Sequence, residues 1–85
     1  MRSIIFQGDA FADFTAWAHQ DAGVFDKIRR LILETVREPF IGIGKPEPLK
    51  HEFKGCWSRR ITGEHRLVYR VTADAIIIVA CKYHY

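Results

Sequence analysis

Glu47 lies between two prolines in "KPEPLK", Lys50 and His51 follow it, Arg60 and Arg66 stand a hairpin apart, and the chain closes on His84 and Tyr85. A carboxylate, imidazoles and several cations are the parts needed to cleave RNA without a metal. A general base takes the proton from a 2′-hydroxyl, the oxygen attacks the adjacent phosphorus, cations hold the added charge on the phosphorane, and a general acid protonates the leaving 5′-oxygen. Each proton transfer is worth roughly 10²- to 10⁴-fold. The same residues have plainer readings as a loop carboxylate, surface imidazoles and ordinary ion-pair partners. Residue type and spacing leave both open.

Other chemistries find less support. Cys56 and Cys81 are two lone cysteines with no CxxC spacing, so buried thiols are expected in place of a disulfide or a zinc site. No metal or cofactor is implied. "GIGK" (42–45) lacks the spacing and the following Ser or Thr of a phosphate-binding loop. The N-terminus has three consecutive apolar residues, far short of a signal peptide or a membrane span, which predicts a cytoplasmic protein.

The chain has 85 residues, 48% of them hydrophobic, the composition of one folded domain with a thin core. Its net charge of +3 is unevenly spread. Residues 1–44 carry five basic and six acidic side chains, residues 45–85 eight basic and four acidic, and three of the four histidines (His51, His65, His84) lie in the second part. A basic C-terminal half suits a polyanionic partner such as nucleic acid, although small domains are often lopsided without one.

The elements that must position these residues can be read from periodicity. "SIIF" (3–6) reads as a strand, Gly8 breaks it, and Asp9 is placed to cap a helix. Phe11, Phe14, Trp17 and Ala18 form the inward stripe of a helix over 10–20, with Asp13 outside. "DAG" (21–23) separates it from a second helix whose inward residues are Phe25, Ile28, Leu31, Ile32 and Thr35 or Val36. Lys27, Arg29, Arg30 and Arg37 lie on its outer side, and Pro39 ends it. "FIGIGKPEPLK" (40–50) is expected to be a stiff loop, and "LKHEF", "WSRRIT", "RLVYRVT" and "AIIIVAC" read as strands. The predicted class is α+β, in the order β-α-α-β-β-β-β, with an antiparallel C-terminal sheet carrying two helices on one face.

A two-residue loop at Gly63 and Glu64 would mismatch the apolar faces of "WSRRIT" and "RLVYRVT". A three-residue loop, 63–65, aligns them, pairing Ile61 with Leu67, Arg60 with Val68, Arg59 with Tyr69 and Trp57 with Val71. Arg60 and Arg66 then share a polar face with Ser58, Thr62, Val68 and Arg70. A two-residue turn at 73–74 leads into "AIIIVAC". Continued as a regular strand, that segment would put Cys81, Tyr83 and Tyr85 on the face of Arg66 and His84 on the other. A bulge or departure from the ladder near Lys82 and Tyr83 is therefore expected.

"PFIGIGKPEPLKHEFKGCWSRRITGEHRLVYRV" followed by "ACKYHY" resembles the YoeB (Txe) toxins, members of the RelE-like superfamily of ribosome-dependent messenger-RNA interferases. "GKPEPLK", "WSRRIT", "EHRLVY" and the terminal "YHY" occur in the family's order and spacing, and the likeness extends in pattern over the first forty residues. The resemblance implies a RelE-like, microbial ribonuclease-like fold and an active site of Glu47, Arg60, Arg66, His84 and Tyr85. Glu47 would be the general base and His84 the general acid. Arg60 and Arg66 would stabilise the phosphorane, Tyr85 would orient the substrate, and Lys50 would add a phosphate contact. It further implies cleavage of messenger RNA in the ribosomal A site, a homodimer, silencing by a YefM-like antitoxin, and operator DNA binding through the antitoxin complex. Cys56 and Gly63 depart from the pattern at positions with no assigned chemistry.

Two other classes compete. A non-enzymatic inhibitor would keep its toxicity without Glu47 and His84, as members of the wider superfamily that act on DNA gyrase lack this set. A nucleic-acid-binding or repressor subunit would bind RNA and cleave none.

Overall fold

The computed structural model describes residues 1–83. Strand β1 (Ser3–Phe6) leads into helices α1 (Ala10–Gln20) and α2 (Ala22–Arg37), followed by β2 (Glu47–Pro48), a 3₁₀ turn (His51–Phe53), β3 (Trp57–Arg60), β4 (Arg66–Val71) and β5 (Ala75–Ala80). The strands form one sheet in the order β1-β5-β4-β3-β2. β1 runs parallel to β5 and every other pair is antiparallel. The expected α+β arrangement holds, with the refinement that the sheet is mixed. Among the described residues no helix is long and apolar enough to cross a membrane.

The core lies between the helices and one sheet face. Ile28, Leu31, Ile32 and Val36 of α2 meet Leu67, Tyr69, Ile76 and Ile78, all buried. Spacing of three and four residues puts the α2 positions on one helical stripe, and Thr35 within it satisfies its hydroxyl on Leu31 O at 2.6 Å. The inward line of α1 differs from expectation. Ala10 and Trp17 are buried with Phe14 partly so, while Phe11 and Ala18 are exposed and Asp13 is half-buried. The stripe is therefore shifted by one position, and the exposed Phe11 makes an edge contact with Phe6.

Caps and breaks also depart in detail. Asp9 holds the N-cap position without a side-chain hydrogen bond. Asp21 is the working cap, accepting from Gly23 N and Val24 N, so residues 21–23 are the cap and first turn of α2 and not a spacer. "LKHEF" is not a strand, because it folds as the 3₁₀ turn with His51 at φ 58°. The Pro-rich loop contributes the two-residue strand β2.

The β3–β4 register is displaced by two residues from the expected one. Arg60 opposes Arg66, Arg59 opposes Leu67, Ser58 opposes Val68 and Trp57 opposes Tyr69. The loop thus spans five residues, closed by hydrogen bonds from Ile61 N and Thr62 N to His65 O. Arg59 points into the core and is fully buried. Its guanidinium donates to Glu38 O, to Ile41 O at 2.9 Å and to Ile43 O at 3.1 Å, and its Nε donates to Tyr69 Oη at 3.2 Å. Tyr69 Oη in turn donates to Pro39 O at 2.7 Å. A buried cation is costly unless fully hydrogen-bonded, and here loop 38–43 wraps its carbonyls around it.

Candidate active site

Strand alternation and the observed register assign Glu47, Ser58 and Val68 to one cross-strand row on the sheet face opposite the helices. Arg60 and Arg66 form the next row. Directly opposed residues have Cβ atoms about 5 Å apart, and diagonal neighbours lie within reach of long side chains. The carboxylate and the two guanidinium groups therefore share a face, as the alternation in the sequence indicates for the arginines. Glu47 is placed there by β2, which the sequence reading did not contain.

Gly44 brings that strand close. Its φ of 82° favours glycine, its carbonyl accepts from Arg60 N at 2.6 Å, and a Cβ there would lie 3.0 Å from Leu31 Cδ2 and 3.1 Å from Arg59 Cβ. The loop can lie flat against β3 only because no side chain intervenes.

The cations differ in how they are held. Arg66 is half-buried, and its Nη1 donates to Thr62 O at 2.8 Å and His65 O at 3.2 Å, so its side chain is anchored on the hairpin loop. Arg60 is exposed, and its guanidinium has no hydrogen bond or ion pair among the described residues. Glu47 is exposed and likewise unpaired among the described residues. Two arginines directly opposed repel, and an anion between them would relieve it. Lys50 is exposed just before the 3₁₀ turn, on the wall of a shallow depression of about 370 Å³ lined also by Leu49, His51, Glu52 and Phe53.

β5 shifts register against β4 between Val68 and Tyr69: Tyr69 opposes Ile78 but Val68 opposes Ala80. The bulge falls at Val79, three residues before the expected place. It reverses the strand's parity, so Cys81 is buried against α1, with its Sγ 3.6 Å from Ala10 O and its carbonyl accepting from Trp17 Nε1 at 3.0 Å. The chain then bends at Lys82 and Tyr83, in line with the expected departure, and Tyr83 adopts φ 61°. A left-handed conformation in a non-glycine residue costs about 1 kcal/mol or more and persists only where surroundings hold it. Here His65 Nδ1 accepts from Tyr83 N at 2.8 Å, and Arg66 N donates to Tyr83 O at 2.8 Å. His84 and Tyr85 lie outside the described residues.

His65 has no chemical role in the sequence reading, where it stands in the basic half and closes the 63–65 loop. Its signal was its place in "EHR", beside Arg66. Both cysteines are buried and free. Burial pushes the Cys81 thiol up to about 12, helped by the Asp13 carboxylate and opposed by Lys82, while burial also raises the Tyr69 hydroxyl against the lowering influence of Arg59. Neither group faces the site as a nucleophile.

A family model for the YoeB-like toxin of bacterial type II toxin-antitoxin systems matches residues 6–85. Toxin YoeB of Escherichia coli K12 is 52% identical over 82 residues, covering 96% of this chain and 98% of that protein. The structure of a YoeB dimer from Staphylococcus aureus superposes with a TM-score of 0.91 at 44% identity, covering 99% of this chain and 98% of the other. A heterotetrameric YoeB-YefM toxin-antitoxin complex from the same organism gives 0.89 at 43% identity, covering 100% and 99%.

Proposed function

The chain belongs to the YoeB-like toxins of bacterial type II toxin-antitoxin systems, and from that premise we propose that it is a ribosome-dependent endoribonuclease cleaving messenger RNA in the ribosomal A site. Glu47 accepts the proton of the 2′-hydroxyl and His84 delivers one to the leaving 5′-oxygen. Arg60 and Arg66 hold the charge that develops on the phosphorane, Lys50 contacts a neighbouring phosphate, and Tyr85 orients the substrate. Cyclisation by the neighbouring hydroxyl needs only these groups, and the mechanism assigned is metal-independent.

The observation that carries this reading is the cross-strand pair Arg60–Arg66 with Glu47 in the adjacent row of the same face. A carboxylate beside two opposed cations, unpaired among the described residues, suits a substrate with one proton to lose and a phosphate to bind. The ribosome supplies the messenger strand, so the site of action is the cytoplasm. A homodimer, inhibition by a YefM-like antitoxin, and operator binding through the joint complex are proposed by likeness to the staphylococcal assemblies and the family.

A translating extract tests the activity. Wild-type protein should cut messenger within the coding region, and Glu47→Ala or His84→Ala should abolish cutting while leaving the protein folded. Either variant cutting at the wild-type rate would refute the assigned roles, and growth inhibition by the double variant would favour a non-enzymatic inhibitor.

A further inference from the structure

We propose that His65 is a positioning residue for the reaction: its Nδ1 fixes the Tyr83 backbone and so sets where the chain leaves the sheet on its way to His84. This rests on the nuclease reading above. Four observations converge on it. The Tyr83 amide donates to Nδ1 at 2.8 Å, and the neighbouring Arg66 amide donates to Tyr83 O at 2.8 Å, so two consecutive residues of the hairpin grip one residue of the tail. The imidazole is only 12% exposed and stands edge-on to the Trp17 ring at 4.8 Å, with the Tyr83 ring 5.7 Å away on a tilt. Trp17 also donates to Cys81 O, so the indole that abuts His65 holds the start of the bend whose end His65 holds. Finally, Tyr83 at φ 61° sits in a conformation that needs external support.

The chemistry specifies what His65 must supply. An acceptor at Nδ1 requires the neutral ring with its proton on Nε2, the edge that faces Glu64 Oε1 at 3.7 Å. The same hairpin turn that aims Arg66 therefore aims the tail, so the cation that meets the phosphorane and the segment leading to the general acid share one support. A misplacement of about 1 Å in such a group can cost about 10²-fold in rate. A planar ring without the acceptor should keep most of the packing and lose the aim, whereas an amide oxygen at the Nδ1 position should restore it.

Single-turnover cleavage on programmed ribosomes, with ribosome affinity and thermal unfolding measured alongside, separates these cases. His65→Phe should bind ribosomes as wild type does and cleave about 10²-fold more slowly, while His65→Asn should recover to within tenfold of wild type. His65→Phe cutting at the wild-type rate, or His65→Asn falling as far as His65→Phe, would overturn the proposal. Should His65→Phe fail to fold, the wild-type protein still decides. ¹⁵N NMR should show an unprotonated Nδ1 coupled across a hydrogen bond to the Tyr83 amide, and a protonated Nδ1 there would refute the anchor. Wild-type protein that cuts nothing on ribosomes would sink the nuclease reading instead, with the Tyr83 anchor still decided by that spectrum.

Discussion

Arg60 and Arg66 are direct partners across β3 and β4, yet among the described residues only Arg66 is tied down, its guanidinium donating to the carbonyls of its own hairpin loop. One cation is preset, and the other, unpaired among the described residues, is placed to close on what arrives. Removing the free one should affect chemistry and not folding. Arg60→Ala and Glu47→Gln are each expected to lower messenger cleavage by at least about 10²-fold. Because both side chains are exposed, both melting temperatures should stay near that of wild type, and that of Arg60→Ala, which removes one of two opposed like charges, should match or slightly exceed it. A melting temperature several degrees lower would show that these residues support the fold.

Arg59, one residue away, should behave in the opposite manner. Its guanidinium satisfies carbonyls of Glu38, Ile41 and Ile43 inside the protein. Arg59→Leu strands those acceptors, each at about 1 kcal/mol or more, for a total of about 3 kcal/mol or more. Arg59→Lys should rescue little, since one ammonium cannot span the fan of acceptors that a planar guanidinium reaches. Chemical denaturation measures both, and a lysine variant of wild-type stability would contradict this account.

Gly44 links the loop to the site. Gly44→Ala places a methyl group against Leu31, Arg59 and the Arg60 carbonyl at a positive φ. The backbone penalty alone is about 1 to 2 kcal/mol, a fall in melting temperature of about 4 to 16 °C for a chain of this size. Cleavage should fall further than the loss of folded protein explains, because β2 carries Glu47. Activity per folded molecule equal to wild type would separate the loop's position from catalysis.

Cys81 and Tyr69 predict an alkaline limit to stability. Their folded pKa values are raised by burial, so the fold holds their protons more tightly than the unfolded chain does. Stability from the thiol is complete below its ordinary value of 9.0 and is lost as pH rises toward about 12. Thermal unfolding followed from pH 8 upward should show this decline, and Cys81→Ala should flatten part of it. The thiol should also resist alkylation at neutral pH in folded protein.

The C-terminus offers a separate check on the proposed acid. Residues appended after Tyr85, next in sequence to the proposed acid His84, should lower cleavage more than they lower thermal stability. Equal cleavage by tagged and untagged protein would remove any constraint on the chain end.

Local pattern alone located both helices, the strand at Ser3–Phe6, the two long C-terminal strands, and the shared face of Arg60 and Arg66, because each depends on a short period and not on distant partners. The motifs around Glu47 and the arginines carried the family likeness as well. The β3–β4 register was out of reach for a definite reason. Side chains alternate with a period of two, so a slip of two residues leaves every residue on its own face, and hydrophobic pattern cannot distinguish the two alignments. Only the tertiary structure decided that Arg60 meets Arg66 instead of Val68. The same holds for Arg59: alternation puts it on the apolar face with Tyr69, but only loop 38–43, closing over it, supplies the carbonyls that satisfy its guanidinium there. The bulge at Val79, in the strand that lies between β1 and β4, turns Cys81 toward α1, while His65 acquires its role only when the bend at Tyr83 delivers an amide to its ring.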